Sequence, residues 1–354
     1  MRSAAAMVVS LAWAGTGCAG GEEVEETAEP SFPADPVIVA ERWVSAADTA
    51  WNLDTPAVWT GEEGAVVLTT GKASHTLHVF DAATGEAQPA VGSPGEEPGQ
   101  FQRPNGIAVL DDLVFVVERD NRRVQVLRMP GGEPMATFGE SELEYPYGIA
   151  IVGDLPEPTI WVTDDYEVPT GAEPDVSRRI HRFDLALDAG QLTVRDHVAL
   201  GSAAPAGALS VVETIWADPA AELLLVADEA QKSYLGFDYH GAPTGAVLGL
   251  GRIEGDPEGL ALVSCPAGSG YWIATDQRSE VSLFHVFGRR DFAFRGTFRG
   301  AVTANTDGVV FASGTVVGFD GPAFFAVHDD QAVAAFAWND VAQALGLEEG
   351  CGMP

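Results

Sequence analysis

From about residue 37 onward, apolar residues come in short runs and not at helical spacing. Each run of Val, Ile, Leu, Phe and Trp is bounded by Gly, Pro, Asp or Asn, which reads as strands joined by tight turns. One unit recurs. A turn residue and Gly lead into an apolar strand, a Gly/Asp turn, a second apolar strand, a polar turn and an alternating third strand. Copies begin at Asp54-Thr55-Pro56-Ala57-Val58-Trp59, Pro104-Asn105-Gly106-Ile107-Ala108-Val109 and Pro146-Tyr147-Gly148-Ile149-Ala150-Ile151. They continue at Glu213-Thr214-Ile215-Trp216-Ala217, Pro257-Glu258-Gly259-Leu260-Ala261-Leu262 and Thr306-Asp307-Gly308-Val309-Val310. From Pro56 through Gly106, Gly148, Thr214, Gly259 and Gly308 the steps are 50, 42, 66, 45 and 49 residues. A four-stranded propeller blade takes about 40–50 residues.

Six copies predict an all-β, six-bladed β-propeller over residues 37–348. A single blade cannot bury its own faces, so the ring must close. The closing strand is expected from residues 36–44, donated from the N-terminal side. The long step after Gly148 leaves room for an insertion around residues 166–179. Residues 339–345 are the only helical-looking segment, and 349–354 form a C-terminal tail. No strand–helix alternation exists, which excludes a two-domain α/β arrangement.

The N-terminus reads differently. Residues 1–17 carry one charge, Arg2, then an apolar run and small residues up to Cys18. That pattern predicts a secretory signal, since a membrane span needs about 20 apolar residues. Ala14-Gly15-Thr16-Gly17-Cys18 is similar to a bacterial lipoprotein cleavage site, with Gly15 where Leu is usual. On this reading Cys18 is lipidated and anchors the chain to a bacterial membrane. The other reading is ordinary cleavage near Ala19. Residues 18–36 form an acidic, self-repelling tether. The expected location is the cell envelope (outer membrane or cell surface) or the medium. An oxidising compartment would permit a disulfide between Cys265 and Cys351.

Charge narrows the function. The chain has 354 residues, with 52 acidic against 19 basic side chains and a net charge of −33; its only lysines are Lys72 and Lys232. Nucleic-acid binding needs a basic surface and is excluded. Phosphate held by side chains alone is excluded too, unless bound cations intervene. Most of the charge serves solubility.

In a propeller, a polar residue just before each innermost strand faces a shared channel. Those positions hold Asp54, Tyr147, Glu213, Asp256, Glu258 and Asp307. Converging carboxylates repel strongly unless a cation neutralises them. Oxygen ligands without His or Cys favour calcium, then magnesium. Taken singly, each could be an ordinary turn residue. Lys72 and Arg119, at the ends of second strands, fall on the same rim, where Lys72 could equally be a surface lysine.

At these residues the chain resembles the β-propeller phytases, the calcium-dependent alkaline phytate hydrolases. The likeness runs through Asp54 to Trp59, Leu68-Thr69-Thr70-Gly71-Lys72, Tyr147-Gly148, Glu213, Ala227-Asp228-Glu229, Asp256-Pro257-Glu258-Gly259-Leu260, Thr306-Asp307-Gly308 and Phe325-Ala326-Val327-His328-Asp329-Asp330. It implies a monomeric phosphomonoesterase taking phytate or a related organic phosphate as a calcium complex. Several calcium ions would be held by Asp54, Glu213, Asp228, Glu229, Asp256, Glu258 and Asp307. Glu213, Asp256 and Glu258 would be catalytic, and Lys72, Arg119 and Tyr147 would hold phosphate. The chain departs from that family at blade two, where Asn105-Gly106-Ile107-Ala108 replaces Val-Asp-Ile-Arg. It departs again at Asp164-Asp165, where the family has Gly-Lys. Blade two resembles an NHL repeat instead, from Gly99 to Val109 and from Asp120 to Val126. Two further readings follow: a non-catalytic, NHL-like binding propeller at the cell surface, and a lactonase-like calcium propeller hydrolase. His75 and His78 read as structural.

Overall fold

A computed structural model describes residues 35–167, 177–202 and 207–353. The signal at 1–17, the Cys18 lipidation site, all but the last two residues of the tether, and part of the expected 166–179 insertion lie outside the described residues.

The described chain is built on six blade sheets of four or five strands, each meandering outward from an innermost strand, with a two-stranded ribbon, Ser93–Pro94 with Gln100–Phe101, beside them. The innermost strands are Leu53–Gly61, Pro104–Leu110, Pro146–Val152, Val212–Asp218, Asp256–Ser264 and Val309–Val316. Each lies beside the innermost strand of the next blade, and the sixth lies beside the first, so the ring is closed. The second strands, such as Leu113–Glu118 and Leu223–Asp228, are buried at every position. Both faces of such a strand are covered by neighbouring blades. Their sequences therefore read as continuous apolar runs, without polar alternation.

Glycine at the repeat anchors has a steric cause. A Cβ on Gly106 would lie 2.5 Å from the Tyr147 carbonyl oxygen, and one on Gly148 would lie 2.6 Å from that of Glu213. Backbone cannot yield as a flexible side chain can, so the glycines set how closely the inner strands pack.

The N-terminal segment closes the ring as expected. Trp43–Val44 pairs antiparallel with Ala335 and Ala334 as the fourth strand of blade six. Val37–Ile38 adds a fifth strand, parallel to Phe298 and Arg299, to blade five. The Trp43 indole packs 5.7 Å from Phe325, and its Nε1 donates to the Ala82 carbonyl at 3.2 Å. One side chain thus ties the closing strand to blades six and one.

Two regions go beyond the plain repeat. Part of the long step after Gly148 is used by a long outer hairpin in blade three, Ile180–Asp188 with Gln191–Leu200. The C-terminal helix, Trp338–Leu345, is not an appendage. Trp338, Val341, Ala342 and Leu345 are buried against Phe284, Phe298, Phe324 and Phe336 of blades five and six. Beyond it, Cys351 is bonded to Cys265 of blade five.

Candidate metal centre

In five blades the innermost strand breaks register at the same place, between Leu53 and Pro56, Pro104 and Ile107, Pro146 and Ile149, Val212 and Ile215, and Pro257 and Leu260. A bulge of this kind re-aims a side chain. The first residue inside the break is Asp54, Asn105, Tyr147, Glu213 and Glu258 in turn. Asp307 takes that place in blade six, just before Val309–Val316. Asp54, Tyr147, Glu258 and Asp307 line a cavity of about 30 Å³ on the axis, room for about one water.

These groups are buried and mutually engaged. Lys72 Nζ lies 2.5 Å from Asp307 Oδ2 and 3.1 Å from Asp54 Oδ2. The Tyr147 hydroxyl donates to Asp54 Oδ2 at 3.1 Å, and the Gln277 amide donates to Asp307 Oδ1. Carboxylate oxygens of Glu213, Glu229 and Glu258 all lie within 4.8 Å of one another. Among the described residues, Lys72 is the only cation bonded to this group.

The electrostatics follow from that imbalance. Burial pushes the Glu213 carboxyl well above its ordinary range, and the charges of Glu258, Glu229 and Asp54 add to the shift. Burial does the same to Glu258, reinforced by Asp307 and Asp54 and opposed by Lys72. Asp307 is pushed up to about 7 by burial, with Lys72 opposing and Asp54 adding. Burial alone would lower the Lys72 pKa, but Asp54 and Asp307 hold its ammonium above the usual lysine range. Tyr147 stays a phenol, through burial and the carboxylates around it.

A cation fits the unfilled part of this group. Glu213 is only 7 % exposed, yet its Oε2 has no hydrogen-bond partner. An unpaired buried carboxylate oxygen is costly, and a bound cation removes the cost. The donors are all oxygens, the set that suits calcium.

A consequence can be measured. A carboxyl whose folded pKa is raised destabilises the fold as pH climbs from its ordinary pKa toward the raised one. His78 and His181, lowered to about 4 by burial, act oppositely below about pH 6.5, so a variant must be compared with wild type. In chelator, Glu258→Gln is expected to melt close to wild type at about pH 4.5 and several degrees higher at pH 8. An equal or lower melting temperature at pH 8 would refute the strained-carboxylate description.

Of the residues singled out in the sequence, Asp54, Lys72, Tyr147, Glu213, Glu229, Glu258 and Asp307 are brought together. Asp256 is not. It pairs with Lys232 near the surface, two residues before Glu258. Asp228 is fully buried away from the group, accepting from the Ser210, Ala230 and Gln231 amides. Glu118, Asp164 and Asp276 tie their own entry loops in the same way, accepting from the backbone of Gln102, of Glu144 and Tyr145, and of Gly255. Arg119 pairs with Asp120 at 2.7 Å and lies over the Tyr145 ring, so no second cation joins Lys72. Within the acidic group, Glu213, Glu229 and Glu258 are the three carboxylates close enough to share one ion, while Asp54 and Asp307 are paired with Lys72. His75 and His78 make structural contacts, with the Arg103 amide and with Ser74 and Trp51.

Two members were missed in the sequence. Asn105 occupies the blade-two place, is fully buried, and its side-chain amide makes no hydrogen bond. Its signal was the following glycine, shared with Tyr147, Glu258 and Asp307. Gln277 carried no such signal. The larger cavity, about 530 Å³, lies at the opposite ends of the inner strands and has no titratable lining residue.

No protein-family model matches the chain, and no curated protein matches it. Solved structures match in fold. One, a protein designated a gluconolactonase from its family, aligns over 84 % of this chain and 93 % of its own, with a TM-score of 0.51 and 14 % identity. Another, the calcium-binding protein regucalcin from Agrobacterium tumefaciens, aligns over 85 % and 95 %, with a TM-score of 0.52 and 12 % identity. The likeness is one of fold. It supports a six-bladed propeller and does not support a phytase family.

Proposed function

We propose that this chain is a calcium-dependent propeller hydrolase of the lactonase-like kind, acting on a small neutral lactone or carboxylic ester at the axial carboxylates. The carrying observation is the buried Glu213, Glu229 and Glu258 group with its unpartnered oxygen. Similarity in fold to proteins named for gluconolactone hydrolysis and calcium binding agrees with it. Glu213, Glu229 and Glu258 would hold the cation. When bound, it would polarise a carbonyl and lower the pKa of water. Tyr147 donates its one hydroxyl proton to Asp54, which fixes the ring beside the carboxylates and leaves the phenol oxygen as an acceptor toward a substrate hydroxyl. The apolar starts of the inner strands, Ile107, Ile149 and Leu260, form the floor of the site.

A neutral substrate suits the site better than phosphate. Lys72 is held by two carboxylates, and Arg119 is engaged elsewhere. The phytase-like reading keeps one observation in its favour, the placement of Lys72 and Tyr147 beside the acidic group. Export, the Cys18 anchor and a monomeric state belong to the proposal, and the Cys265–Cys351 bond suits an oxidising compartment.

The test is a panel of lactones, aryl esters, p-nitrophenyl phosphate and phytate, with calcium or chelator. Calcium-dependent lactone or ester cleavage without phosphate release is expected. Phosphate release would restore the phosphomonoesterase. Calcium binding with no turnover would leave a binding propeller.

A further inference from the structure

We infer that Lys72 is a built-in cation that restricts the axial site to a single metal ion. The inference rests on the proposal that a divalent cation binds at Glu213, Glu229 and Glu258. It adds what decides the number of ions.

The acidic group has two unlike halves. In one, Lys72 enters at the end of the second strand of blade one, Gly64–Gly71, and is 8 % exposed. Its ammonium bonds Asp54 and Asp307. Other donors engage that half as well. Asp54 accepts from Thr55 Oγ1 at 2.7 Å and from Tyr147, and Asp307 accepts from Gln277. In the other half, Glu213, Glu229 and Glu258 have no bonded cation, and Glu213 Oε2 has no partner. Lys232 reaches Glu229 only electrostatically, its ammonium being bonded to Asp256.

The blades explain the asymmetry. Pro56 pairs with Thr69 and Ile215 with Val226 at equivalent points in blades one and four. Three residues beyond Thr69 is Lys72, and three beyond Val226 is Glu229. One structural position thus supplies an ammonium in blade one and a third carboxylate in blade four. Where blade four completes a metal site, blade one fills the corresponding space with fixed positive charge. A second divalent ion at Asp54 and Asp307 would have to displace the ammonium or sit against it, and like charges in a buried site exclude each other. Multi-ion, phosphate-bridged chemistry is thereby closed to this chain, and single-ion chemistry is left open.

The experiment is calcium titration calorimetry, with native mass spectrometry, on the mature chain and two variants. Wild type and Lys72→Arg are expected to bind one calcium ion. Lys72→Met, which removes the charge at similar volume, is expected to bind two. Far-ultraviolet dichroism checks the fold, and Lys72→Gln is used if Lys72→Met does not fold. Two or more ions in wild type overturn the inference with no variant needed. One ion in wild type and still one in a folded Lys72→Met or Lys72→Gln overturns it while leaving the metal site standing. No calcium binding by wild type overturns both.

Discussion

Glu213→Gln is expected to weaken calcium binding by about 100-fold or more, equivalent to about 2.7 kcal/mol, and to carry hydrolysis down with it. Calcium affinity depends on how many charged ligands the site supplies. Glu213 is the carboxylate with the least compensation, buried and with one oxygen unpartnered. Gln keeps the volume and removes the charge, so the variant should fold. In chelator at pH 8 it should even be more stable than wild type, because Glu213 is raised by burial and by its acidic neighbours. The pair of effects is diagnostic. A structural role for Glu213 predicts a loss of stability alongside the loss of binding. A ligand role predicts opposite signs. Calorimetry and chelated thermal melts on one preparation distinguish them, and unchanged affinity would remove Glu213 from the site.

This opposition of stability and function marks where sequence reading succeeds and where it stops. The blades were legible because their causes are local. Buried second strands read as apolar runs ahead of the acid near their ends, inner strands carry Gly106, Gly148, Gly259 and Gly308 where backbones meet in blades two, three, five and six, and both repeat at a readable spacing. The closing strand around Trp43 followed from the topology of a ring. Which acids share a site was only half legible. Asp256 and Glu258 are two apart and would share one face of a regular strand. The register break between Pro257 and Leu260 ends that regularity, so Glu258 faces the buried carboxylates while Asp256 pairs with Lys232 and reaches Glu229 only through its charge. Asp228 and Glu229 are adjacent acids with opposite fates, one tying a loop and the other facing carboxylates. A recurring acid at the end of the second strand serves the fold in blades two to five, and composition cannot separate it from a ligand. Arg119 fitted the rim by spacing, but Asp120 and Tyr145 draw it away. Lys72 was found by spacing, while its two carboxylate partners come from blades one and six and required the closed ring.

The Cys265–Cys351 bond is the second place where a large effect is expected. Replacing both with Ser, or reducing the bond, should cost about 2–5 kcal/mol. The chain-entropy contribution for a separation of 86 residues lies toward the upper end of that range. The location argues for a large effect. Ring closure pairs Trp43–Val44 with Ala335 and Ala334, and the Ser45, Asp48 and Leu53 amides extend it by donating to the Val333, Gln331 and Asp330 carbonyls. The helix Trp338–Leu345 and the segment after it add a second attachment, seating the last blade against blade five. There the Gly352 amide donates to the Ser264 carbonyl at 2.6 Å, and the Gly314 amide donates to Gly352 at 2.7 Å, so the segment joins the inner strands of blades five and six. Cys351 is 1 % exposed beside these bonds. Without the disulfide, the helix and its apolar face could leave as a unit and expose the Phe284, Phe298, Phe324 and Phe336 cluster. Denaturant midpoints should therefore fall to the same value for reduced wild type and for the double Ser variant. Because the carboxylate group lies at the axis, among residues this segment does not supply, calcium stoichiometry at low denaturant should be unchanged in both. A reduced protein whose midpoint matches the oxidised one would show that the helix holds blade six without its covalent clasp.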